Sequence, residues 1–104
     1  MAETTLSTET VFEGKIINVR VDKVALRNGM DATREVVEHR PCVAIVPIDS
    51  EQNVLLIKQY RYCVDEILLE VPAGISEASE TPTSCAQREL QEEIGYKCAS
   101  LKSL

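Results

Sequence analysis

Three glutamates, Glu89, Glu92 and Glu93, stand at i, i+3 and i+4 late in the chain. On a helix that spacing brings their carboxylates to one face. Like charges so placed repel, and the turn is costly unless something cationic sits against it. Hard divalent ions such as Mg²⁺ and Mn²⁺ prefer oxygen donors of this kind. A lone E-x-x-E-E is ordinarily the solvated side of an amphipathic helix. Here it follows directly on Arg88, with Glu80 and Gly74 upstream. A metal held by such a set could bridge a diphosphate, neutralise charge as a P–O bond breaks, and lower the pKa of a bound water.

The elements that would position these groups are readable around them. Thr81 can accept a hydrogen bond from an early helical N–H, and Pro82 suits the first helical position. Gly95 supplies a left-handed stop. Between them Ala86, Leu90 and Ile94 recur every fourth residue and form an apolar stripe that predicts burial against a sheet.

Upstream the pattern is that of strands. Residues 1–10 are polar and read as frayed. From Phe12 the chain alternates, with Ile17, Val19 and Val21 on one side, and a phase shift at Lys23 suggests a bulge. Asn28-Gly29 is a hairpin signal, and the return arm runs from Thr33 to His39. After a seam at Arg40-Pro41, the apolar run 42–46 reads as a strand covered on both faces. Val54 to Ile57 reads as its hairpin partner, extended by 58–62. Ile67 to Val71 is a further strand feeding Pro72-Ala73-Gly74, and Lys97 to Leu104 reads as the start of another. Two regions follow: an N-terminal antiparallel ribbon over 1–40 and a core over 41–104.

A chain of 104 residues with a net charge of −6 argues against a nucleic-acid backbone as partner. No run approaches the ~18 apolar residues of a membrane span, and the N-terminus lacks a signal-peptide pattern, so the expectation is a cytoplasmic protein without membrane contact. Cys42, Cys63, Cys85 and Cys98 form no C-x-x-C pair and fit no zinc spacing, which leaves ordinary thiols in a reducing compartment.

The stretch 74–96 resembles the Nudix box, G-x5-E-x7-R-E-U-x-E-E-x-G-U, where U is a bulky aliphatic residue. Gly74, Glu80, Arg88, Glu89, Leu90, Glu92, Glu93 and Gly95 fall on its fixed positions, and Tyr96 departs from it at the last. Outside the box, Lys58-Gln59-Tyr60-Arg61 and Leu69-Glu70-Val71-Pro72-Ala73-Gly74 are similar to the ADP-ribose pyrophosphatase branch, as is Arg34-Glu35. The resemblance covers about residues 12–104.

The resemblance implies an α+β fold, a Nudix-type α/β/α sandwich with a mixed sheet, incomplete on its C-terminal side. It implies a hydrolase that uses Mg²⁺ or Mn²⁺ to split a nucleoside diphosphate derivative, with ADP-ribose giving AMP and ribose 5-phosphate. Carried onto this chain, Glu89, Glu92, Glu93 and the Ala73 carbonyl become metal ligands. Glu92 and Glu93 with Arg88 form the catalytic set, Arg88 orienting the carboxylates, in one reading through Glu80. Arg34, Glu35, Arg61 and Glu70 become substrate-side residues, Glu70 supporting the site from a strand end near the metal loop; exposed strand-edge charge is the alternative for Arg34, Arg61 and Glu70. Relatives of this branch usually run considerably longer, and the segment that supplies their general base has no counterpart here. The alternative is therefore a truncated member serving only as a metal- or nucleotide-binding or oligomerisation module. Bare sheet edges and the ribbon's usual role in this branch predict a homodimer, strand exchange being one way to cover those edges.

Overall fold

The computed structural model describes residues 3–104. They divide into two compact units, the first ending at Arg40 and the second spanning Pro41–Leu104.

The first unit is an antiparallel sheet of three strands, β1 (Glu3–Glu13), β2 (Ile17–Leu26) and β3 (Asp31–His39), with β2 in the centre. Asn28-Gly29 forms the β2–β3 turn as expected. Gly29 adopts φ 80°, and the Asn28 side chain accepts the Met30 N–H at 3.1 Å. Of the polar start, residues 1 and 2 lie outside the described residues, and residues 3–10 are not frayed: they belong to β1 and pair with β2. Every residue of β1 is exposed, so no apolar alternation betrays it. Its order comes from ladder hydrogen bonds and from Thr4, Thr5, Thr8 and Thr10, whose branched side chains favour the extended backbone. The phase shift read at Lys23 is accommodated on the opposite strand. The β2–β3 register runs unbroken from Ile17–His39 to Ala25–Asp31, while the β1–β2 register shifts between Thr5 and Ser7, opposite Val24 and Lys23.

The second unit contains β4 (Cys42–Ala44), β5 (Ile57–Arg61), β6 (Glu66–Glu70), β7 (Ala73–Ile75) and one helix, α1 (Pro82–Ile94). β4 pairs with β7, and β5 pairs with β6. The expected pairing of Val54 to Ile57 with the 42–46 strand reduces to one bridge between Ile48 and Val54. The loop before it is held otherwise: Asp49 accepts the N–H groups of Glu51 and Asn53, both at 2.9 Å. Nor is the 42–46 run covered on both faces. Ile45 is buried, but Cys42, Ala44 and Val46 are exposed, because α1 covers only one side. Lys97 to Leu104 carry no strand.

The apolar stripe of α1 does pack as its spacing predicts. Ala86 and Leu90 are buried with Ile45, and Val43, Ile94 and Cys98 close around them. Burying a leucine of this kind contributes roughly 1.5–3 kcal/mol, which anchors the helix on β4 and β7. The α+β class expected from the sequence holds. Among the described residues all strand pairings are antiparallel, so the parallel pairing that would make the sheet mixed is not among them. No described helix is long and apolar enough to cross a membrane.

Candidate functional site

Helix α1 begins and ends where its sequence says it should. Thr81 is the N-cap and accepts the Ser84 N–H at 3.1 Å, while the Ser84 hydroxyl accepts the Thr81 N–H at 3.0 Å. Gly95, at φ 72°, donates its N–H to the Gln91 carbonyl. With both ends fixed, the acidic face has one orientation relative to β7.

Arg88 organises the N-terminal half of that face. Its guanidinium forks onto Glu80, Nε at 2.7 Å and Nη2 at 2.8 Å. Nη2 also reaches the Ile75 carbonyl at 3.2 Å, and Nη1 is shared by Glu89 at 3.0 Å and Glu92 at 3.2 Å. Glu80 further accepts the Glu77 N–H at 2.8 Å. Those bonds, that from Arg88 first, hold the Glu80 carboxyl down to about 2. The pairing of Arg88 with Glu80 read from the box spacing is present. One guanidinium thus ties the loop before the helix to two carboxylates on it.

Glu89 and Glu93 face the Ala73–Gly74 corner. Glu89 is 8% exposed, and its carboxylate lies directly on the Cα of Gly74. Glu93 accepts the Ala73 N–H at 3.2 Å. Its carboxyl is raised above the usual range, first by burial and then by the neighbouring charges of Glu89 and Glu70, which outweigh the pull of Ala73 N–H and Arg61. Arg61 does not stand open toward solvent as a lone cation. It forks onto Glu70 through Nε and Nη2, so β5 and β6 present a matched pair beside Glu93. The pairing lowers the Glu70 carboxyl.

The structure thus brings Glu89, Glu93, Ala73 and Gly74 together, with Glu70 and Arg61 adjoining. Glu92 is drawn instead toward Arg88 and is largely exposed. Among the described residues no three acidic, histidine or cysteine side chains are gathered at ligating distance, and Glu92 is engaged by Arg88 Nη1. In the first unit, Arg34 forks onto Glu3 across the sheet at 2.6 and 3.1 Å, and Nη1 bonds the Thr33 carbonyl. Glu35 is exposed opposite Val21. Sequence reasoning did not foresee that Arg34 and Arg61 would each be forked by a carboxylate. Glu3, in a stretch read as frayed, gave no signal, whereas Glu70 was read as lying beside the metal loop rather than on an arginine.

Known proteins resemble this chain over both units. The NUDIX domain matches residues 38–104, and a nucleoside diphosphate sugar hydrolase N-terminal domain matches residues 3–37. A methanol dehydrogenase activator of Bacillus methanolicus is 39% identical over 98% of this chain and 55% of its own length. ADP-ribose pyrophosphatases of Bacillus subtilis and Mycobacterium tuberculosis are 36% and 42% identical, over 100% and 96% of this chain and 56% and 49% of theirs. A crystal structure of an ADP compounds hydrolase superposes with a TM-score of 0.80 at 27% identity, over 96% of this chain and 55% of that one. The chain spans about half the length of the curated relatives it matches.

Proposed function

The chain belongs to the Nudix family, and on that premise we propose that the protein hydrolyses the pyrophosphate bond of a nucleoside diphosphate derivative, ADP-ribose foremost, to AMP and ribose 5-phosphate. The observation that supports this reading most is the convergence of Glu89 and Glu93 on the Ala73–Gly74 corner, where burial and like charge disfavour the ionised Glu93 carboxyl. The donor set is all oxygen and carries excess negative charge, which fits Mg²⁺ or Mn²⁺. Glu89 and Glu93 would hold the ion, with Glu92 and the Ala73 carbonyl as further ligands once Glu92 leaves Arg88. Such an ion supplies charge neutralisation on the diphosphate and an acidified water.

The chain's own residues divide the remaining work. Arg88 orients Glu89 and, through Glu80, ties the helix to the loop that precedes it. Arg61 offers a planar fork to phosphate oxygens, released from or shared with Glu70. Arg34 and Glu35 serve the nucleoside end from the N-terminal sheet. The protein acts in the cytoplasm as a homodimer. Supporting that assembly, Phe12, Val19 and Val37 lie in cross-strand register over one face of the first unit, with Phe12 and Val37 more than half exposed.

ADP-ribose and Mg²⁺ supplied to the protein and to its Glu93→Gln variant test the reaction. AMP release should fall at least ~100-fold in the variant and vanish with a chelator. Equal, negligible release from both would leave only a binding or oligomerisation module. Light scattering coupled to size exclusion should give twice the protomer mass; a monomer at micromolar concentration refutes the dimer.

A further inference from the structure

Gly74 sits in β7 opposite Val43, and its backbone is not in the left-handed region, so no dihedral requires glycine there. What requires it is Glu89. A methyl built on Gly74 would meet the Glu89 carboxyl carbon at 2.0 Å and its two oxygens at 2.0 and 2.5 Å. Ordinary contact between such atoms begins near ~3.5 Å. The carboxylate therefore occupies the volume where any other residue would carry its Cβ. Arg88 also holds the carboxylate, its Nη1 bonding Glu89 Oε1 at 3.0 Å, and Glu89 is buried. Glu89 has no room to retreat without giving up that bond.

Resting on the hydrolase reading above, we propose that Gly74 is a positioning residue: its missing side chain is the seat that sets where the Glu89 carboxylate stands relative to Glu93 and to a bound divalent ion. The neighbouring Ala73, on the same strand, donates its N–H to Glu93, so β7 meets both carboxylates. Gly74 sets the first by contact and Ala73 sets the second by hydrogen bond. An alanine at this position would displace the Glu89 carboxylate by about 1.5 Å, the shortfall from ordinary contact, which is also roughly the length of one C–C bond. Shortening Glu89 by one methylene therefore removes the clash that Gly74→Ala creates.

The test is a double-mutant cycle in metal-free protein, with thermal unfolding of wild type, Gly74→Ala, Glu89→Asp and the double variant. Gly74→Ala should lower the midpoint by several degrees, roughly 5 °C or more. The double variant should recover most of that loss. Additive effects would mean that Gly74 serves only the β4–β7 pairing, and the proposal fails. A second arm titrates Mn²⁺ into wild type and Gly74→Ala by calorimetry, with an expected loss of about tenfold in affinity. Unchanged affinity in Gly74→Ala also overturns the proposal. Should wild type bind no Mn²⁺, the hydrolase reading fails, and the metal-free cycle still decides the role of Gly74.

Discussion

The two units handle charge in opposite ways. In the N-terminal sheet the described ion pairs close on themselves: Arg20 bonds the buried Asp22 and reaches Glu38, and Arg34 forks onto Glu3. Each lies along or across neighbouring strands, where opposite charges serve the sheet and exposed ones add little to its stability. Around the box helix the balance stays open. Glu70, Glu80, Glu89, Glu92 and Glu93 converge on Arg61 and Arg88, five carboxylates against two guanidiniums. Among the described residues Glu93 takes part in no ion pair, and its carboxyl is raised. An anionic corner only partly compensated is a poor way to stabilise a fold and a good way to receive a cation. On the proposed function, the difference puts the metal-binding part of the site in the second unit.

Removing the cation that partly balances the corner should have the largest effect. Arg88→Ala strips the counter-charge from Glu80, Glu89 and Glu92 together and cuts the tie between the Ile75 carbonyl and the helix. Its thermal midpoint should fall further than that of any other arginine variant. Hydrolysis of ADP-ribose should drop by about 100-fold, since a misplaced carboxylate costs that much. Arg88→Lys should recover little, because an ammonium cannot fork onto Glu80 while also reaching Glu89. If Arg20→Ala proved the more damaging of the two, the contrast between the units would be reversed.

A smaller effect should appear with pH. The Glu80 carboxyl sits at about 2, well below its ordinary value of 4.5. Its depressed value means that the stabilisation is fully present above about 4.5 and is lost as the pH falls toward 2. The midpoint of wild type should exceed that of Glu80→Gln by a constant margin from neutral pH down to 5. Below 4.5 the margin should narrow, and near 2 it should close. A margin that stays level through this range would show that Glu80 acts through its backbone contacts rather than through its charge.

How much of this could be read from the chain depends on what each segment uses to hold itself. The box helix announces itself because its signals are local: Thr81 and Pro82 start it, Gly95 stops it, and Ala86, Leu90 and Ile94 mark the buried side. The convergence of Glu89 and Glu93 follows from the helical repeat. Strand β1 is hidden because it buries nothing, and ladder bonds to β2 leave no periodic trace. The forks of Arg61 onto Glu70 and of Arg34 onto Glu3 depend on which strands become neighbours, and spacing along the chain cannot supply that. Gly74 was visible as a fixed position of a motif, yet the reason for it emerges only when Glu89 is seen lying against it.

The finest test of the contrast concerns Arg34, whose pairing with Glu3 belongs to the sheet while its proposed work belongs to the substrate. The Arg34–Glu3 pair is exposed on both sides, and exposed pairs of this kind often contribute nothing measurable. Arg34→Ala should therefore leave the thermal midpoint within error of wild type. A purely structural Arg34 would leave catalysis equally untouched. If Arg34 contacts the nucleoside diphosphate, KM for ADP-ribose should rise several-fold with kcat preserved, the pattern expected when uniform binding is lost. Glu3→Gln then separates the two roles. It breaks the same ion pair but leaves the guanidinium in place, so KM should stay at the wild-type value or improve as Arg34 is released to the substrate.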